Sequence, residues 1–82
     1  MKIGHFEFIP QENNQERGKI YLCNELFAHF WRNPSGYGGK YANKWQLNRH
    51  HKAFELGLED QTPFNSIVEM KDFLEKWVKT KI

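Results

Sequence analysis

"SIVEMKDFLEKWVK", residues 66 to 79, decides the fold. Ser66 stands three residues before Glu69, the capping-box spacing, in which hydroxyl and carboxylate each satisfy an orphan backbone N–H of a first helical turn. Behind that cap Ile67, Met70, Leu74, Trp77 and Val78 recur on one helical stripe, with Phe73 beside it. Asp72 with Lys76 and Glu75 with Lys79 have i, i+4 spacing, and the terminal lysines suit the negative end of the helix dipole. A helix with one apolar stripe needs a surface to bury it against.

Working backward, the surface is a sheet. "KIGHFEFIP" (2–10) has the aromatic and β-branched content of a strand, stopped by Pro10. "QENNQERG" (11–18) reads as a wide polar hairpin loop ending at Gly18, and "KIYLC" (19–23) as the returning strand, with Cys23 a buried thiol. "NELFAHFWRNP" (24–34) fits either a short helix behind an Asn24 cap or a strand buried on both faces. The strand is favoured, because aromatics are enriched in strands and a glycine-rich hairpin tip follows. Asn33-Pro34 ends the element either way.

Between Lys40 and Lys52 the alternation places Tyr41, Trp45 and Leu47 on one side of a strand. Lys40, Lys44, Gln46, Asn48, His50 and Lys52 fall on the other. "AFELGLE" (53–59) continues as a strand alternating Phe54, Leu56 and Leu58 against Glu55, Gly57 and Glu59, and "DQTPFN" (60–65) is a turn. The expected fold class is α+β: one domain over residues 1–82, with a small antiparallel sheet of three to five strands against one C-terminal amphipathic helix.

Eighty-two residues leave no room for a second core, and thirteen aromatic residues supply the bulk for the one present. With one cysteine there is no internal disulfide, and with neither a leader nor a long apolar run the expectation is a soluble cytoplasmic protein with no membrane partner. The net charge of +2 is small but unevenly placed. Residues 26 to 54 contain five Lys/Arg and three histidines with no acid, whereas the remainder sets seven bases against ten acids.

Several chemistries fail on spacing. "NPSGYGGKYANKW" (33–45) is no nucleotide-phosphate loop, since counting back from Gly39-Lys40 puts Pro34 where glycine belongs and Tyr41 where the magnesium hydroxyl belongs. Gly36-Tyr37-Gly38 touches the RNA-recognition signature, but Gly39 and Asn43 occupy its stacking positions and Lys40 an aliphatic one. Cys23, His29, His50 and His51 lack zinc spacing, and neighbouring His50 and His51 point apart on a strand. No catalytic constellation, metal, cofactor or small-molecule substrate is expected.

A binding module remains. Nucleic acid suits the acid-free segment: phosphates attract its cations, Gln46 and Asn48 offer paired donors and acceptors to base edges, and Tyr37 is placed to stack. The expected contact residues are Arg32, Tyr37, Lys40, Lys44, Gln46, Asn48, Arg49 and Lys52. In order of elements, Leu26 to Val78 resembles the three-strands-plus-helix DNA-binding domains of phage integrase arms and plant AP2-type factors. Trp45 in the middle strand, Leu56-Gly57 in the third, and the Phe64 to Leu74 turn and helix carry the resemblance, which implies a sheet entering a major groove. The alternative is a host-protein partner: the chain also resembles small phage-encoded inhibitors, anti-CRISPR proteins among them, and Trp31, Tyr37 and Tyr41 would then be interface anchors.

Overall fold

The structure, a computed structural model, describes residues 2, 3, 5–60 and 63–81, with the backbone alone at Lys2, Ile3 and Tyr37. Its strands are β1 (Lys2–Ile3), β2 (Phe6–Gln11), β3 (Asn14–Leu22), β4 (Glu25–Arg32) and β5 (Trp45–Arg49), paired in chain order as an antiparallel meander. β1 is a two-residue stub beside four longer strands. The helices are α1 (His51–Glu55) and α2 (Ile67–Lys79). The α+β class and the C-terminal helix are as the sequence implies.

Alternation builds the buried side. Phe6 and Phe8 from β2, Ile20 and Leu22 from β3, Ala28 and Phe30 from β4, and Leu47 from β5 all face α2, which answers with Met70, Leu74 and Val78. Ser66 Oγ accepts from the Glu69 N–H at 3.1 Å, so the serine half of the capping box read from the sequence caps the helix. The expected Glu75 to Lys79 pairing gives way to a longer-range one: Glu75 Oε1 lies 3.4 Å from His5 Nδ1.

The hairpins are tighter than the polar composition of residues 11–18 implies. Only Glu12 and Asn13 form the first turn, since Gln11 already pairs with Asn14. Asn14 to Arg17 belong to β3 rather than to a loop, and they are polar because this end of the hairpin extends past the helix-covered core. Pro10 does not stop β2; it pairs with Gly18 inside the strand. β1 reaches only Phe6 and Glu7, so the missing N–H of Pro10 costs the sheet no ladder bond. The close approach there fixes Gly18, because a Cβ would sit 2.3 Å from Ile9 O.

Cys23 and Asn24 take φ of 51° and 68°, forming the two-residue turn that joins β3 to β4. Cys23 is therefore an exposed turn residue rather than a buried thiol, and Asn24 is not a helix cap. In β4, Ile20 pairs with Ala28 and Tyr21 with Leu26, leaving Phe27 as the bulged residue. The bulge lets Phe27 and Ala28 both enter the core, where Phe27 packs 5.1 Å from Phe6 and 5.6 Å from Trp77 between ring centroids.

The strand expected from Lys40 to Lys52 is confined to Trp45–Arg49, and the one expected over 53–59 is absent. Residues 33–44 connect β4 to β5 through two short 3-10 turns, and Lys52 lies on α1. Gly57, at φ 81°, ends α1: its N–H meets Phe54 O while the Leu58 N–H meets Ala53 O, the Schellman arrangement. Ala53 and Leu58 are both buried beside that motif, so Leu56 and Leu58 mimic strand alternation while belonging to a helix end. A two-way backbone bridge between Trp45 and Phe64 ties the segment before α2 to β5.

Candidate nucleic-acid interface

With α2 on one side of the sheet, the residues that alternate with the core project from the other. They are Ile9 and Gln11 on β2, Arg17, Lys19 and Tyr21 on β3, His29 and Trp31 on β4, and Gln46 and Asn48 on β5, with Glu7 at the β1 end. Register aligns them in rows across the strands: Ile9, Lys19, His29 and Asn48 in one, and Arg17, Trp31 and Gln46 in the next. Among the described residues no helix covers this face, and neither Arg17 nor Lys19 has an acidic partner.

One side of the face is locked by Asn33, the single buried polar residue of the described chain. Its Oδ1 accepts from Trp31 Nε1 at 3.0 Å, while Nδ2 donates to Tyr41 O at 3.1 Å and Gln46 Oε1 at 2.8 Å. Its backbone N–H meets Lys44 O at 2.8 Å. One side chain thus fixes the Trp31 indole, the 33–44 connection and the Gln46 amide together. A buried amide with its donors and acceptor paired imposes one geometry on the groups around it.

In the middle of the face the rings of His29 and His50 meet edge to face, 4.3 Å between centroids, and His29 Nδ1 is hydrogen-bonded to His50 Nε2. Of the two nitrogens, one carries the proton and donates to the other. Burial, then the neighbouring His50, then Lys19 hold the His29 imidazole below its ordinary pKa, so it is neutral near pH 7.

Most of the contact residues read from the sequence lie elsewhere. Gln46 and Asn48 are on the open face, Asn48 exposed and Gln46 held by Asn33. Arg32 is engaged by Glu16 at 2.6 Å. Lys40 sits on the exposed 3-10 turn, 5.2 Å above the Tyr41 ring. Lys44 donates to the Asn65 side chain, and Lys52 lies 3.8 Å from Glu25. Arg49 donates to Leu58 O at 2.9 Å and stacks 4.7 Å over Phe54. The Tyr37 side chain lies outside the described residues. Of the expected contact residues, Arg32, Lys44, Arg49 and Lys52 thus have their charged groups engaged within the molecule.

Sequence reasoning missed Arg17, Lys19 and His29, and named Trp31 only as an anchor for a protein partner. The signal was present. Arg17, Lys19 and Tyr21 alternate with Gly18, Ile20 and Leu22, which is a strand with one cationic and aromatic face.

His51, expected to diverge from His50, pairs with Glu55 at 3.0 Å along α1. Among the described residues no cluster of three His, Cys, Asp or Glu side chains is placed to hold a metal ion, and no helix is long and apolar enough to cross a membrane. Comparisons with protein-family models, curated proteins and solved structures gave no match to this chain.

Proposed function

We propose that this chain is a non-enzymatic module that binds nucleic acid on the uncovered face of its sheet. The observation that carries the reading is the composition of that face. Among the described residues Arg17 and Lys19 stand without acidic partners beside Trp31, His29, Gln46 and Asn48; neither of their rows holds an acid, and Glu7 lies in the next row, opposite Tyr21. Cations neutralise phosphates, rings accept bases, and amides pair with base edges, so the three chemistries of nucleic-acid recognition coincide on one surface. The contact surface in this proposal is the sheet itself, as in the three-strand domains that the sequence resembles, and not the tip of the 33–44 connection.

Fluorescence anisotropy with labelled oligonucleotides at several salt concentrations tests it. Affinity should fall steeply with salt, and Arg17→Ala and Lys19→Ala should each lower the logarithmic salt slope by roughly one counterion while leaving the fold intact. Binding that ignores both substitutions, or a partner held with a shallow salt dependence, overturns the reading in favour of a protein target.

A further inference from the structure

We infer that the open face takes single-stranded rather than duplex nucleic acid, with successive bases placed on Trp31 and His29. This rests on the proposed function and narrows it. The carrying observation is a repeat in the register: β3 and β4 set Arg17 opposite Trp31 and Lys19 opposite His29. Each ring thus has its own cation directly across the ladder, and the ring-plus-cation unit recurs two residues further along both strands.

Spacing decides between the two forms. Residues two apart on a strand are separated by roughly 6.4–6.8 Å, whereas bases in a duplex strand advance by about 3.4 Å and keep their faces against one another. Rings at the wider interval can each accept a base face only where the bases are splayed, which a single strand permits and a duplex does not. The cations, at the same interval, sit where the phosphates of such an extended strand would pass.

The surface relief follows the same line. Three adjoining concavities run along the strands: one at the end of the sheet beside Trp31 and Arg32, where Glu16 approaches from the opposite side, a central one on the open face between Trp31 and Asn48, and one on the same face at Ile9 and Lys19. The first two share Arg17 and Trp31, and the last two share Gln11 and His29. Trp31 is therefore a wall reached from two sides, and its bond to Asn33 holds the indole in place before any ligand arrives. Glu16 also lines the first concavity, but it is engaged by Arg32, which leaves Arg17 as the cation facing the track. Preorganised rings lose little freedom on binding, which favours a ligand that stacks.

The test compares an eight-nucleotide oligo-dT and the corresponding oligo-U with a sixteen-base-pair duplex, at equal salt, by anisotropy and by quenching of tryptophan emission. The single strands should bind at least tenfold tighter than the duplex. Trp31→Leu should weaken single-strand binding by roughly 5- to 150-fold, the loss of one base stack, while Trp31→Phe keeps most of the affinity. His29→Ala should weaken it as well, and His29→Phe should not. Since Trp31→Leu disturbs Asn33, the His29 pair carries the test if that variant fails to fold. Tighter duplex binding overturns this inference and leaves the proposed function standing. Failure of both forms to bind overturns both. Single-strand binding indifferent to folded His29→Ala and Trp31→Leu shows that the rings are not the platform.

Discussion

Removing the Asn33 side chain should loosen the molecule far more than a loop position ordinarily would. Asn33→Ala deletes three hydrogen bonds at once, from Trp31 Nε1, to Tyr41 O and to Gln46 Oε1. A buried hydrogen bond contributes a net of about 0.5–1.5 kcal/mol, and a polar group left unpaired costs more. Trp31, Tyr41 and Gln46 are half-buried, so water replaces part of what is lost. The expected loss is about 2–4 kcal/mol, against a total of roughly 4–12 kcal/mol for a domain of this length. Gln46→Ala breaks only one of the three bonds and should cost about 0.5–1.5 kcal/mol. Asn33→Asp keeps the acceptor for Trp31 but sets a carboxylate against two oxygens, and should cost at least as much as Asn33→Ala at pH 7. Urea unfolding followed by circular dichroism and by tryptophan emission measures all three. An Asn33→Ala loss under about 1 kcal/mol, or a Gln46→Ala loss equal to it, would refute the reasoning that one amide organises this end of the sheet.

Leu74 is fully buried on α2, so Leu74→Ala should cost about 2–5 kcal/mol, and a melt matching wild type would mean that the helix is not the lid of the core. Gly18→Ala should cost about 1–3 kcal/mol through the contact with Ile9 O, although alanine favours strands more than glycine does; an unchanged urea midpoint would show that β2 and β3 part easily. For His29, whose folded pKa lies below the ordinary 6.5, the unfolded chain takes up the proton first. Stability should therefore be full above about pH 6.5 and decline as pH falls through that value, a decline that His29→Gln flattens in urea titrations at pH 7.5 and 5.5. Nucleic-acid affinity should move oppositely, rising over the same interval, because phosphates favour the protonated ring.

What could be read from the sequence divides along a physical line. α2 was legible because thirteen residues give the apolar stripe several repeats and Ser66 marks its start. The core strands were legible where one face is covered, as at Phe6 and Phe8 or Ile20 and Leu22, since burial on one side is what produces alternation. α1 was not, because five residues show no helical period and its Schellman end repeats the spacing of a strand. The signal that distinguished the two was Gly57, a residue that disfavours a strand interior and suits a helix end.

The site was harder to read because charge along a chain and charge on a surface are different quantities. Residues 26 to 54 contain no acid, and that remains true in the fold, yet Arg32 is engaged by Glu16 and Lys52 by Glu25, both from outside the segment. Arg49 is taken up by the carbonyl of Leu58 and the ring of Phe54. The acid-free run therefore draws in partners from the acidic remainder and is largely spent within the molecule. The cations on the open face of the sheet come instead from β3, in a stretch whose local composition is mixed, with Glu16 beside Arg17. Strand alternation separates that pair: Arg17 goes to the open face and Glu16 away from it toward Arg32. A basic face can thus be assembled from a nearly neutral sequence, provided that every second residue is counted and that the register brings the right strands together.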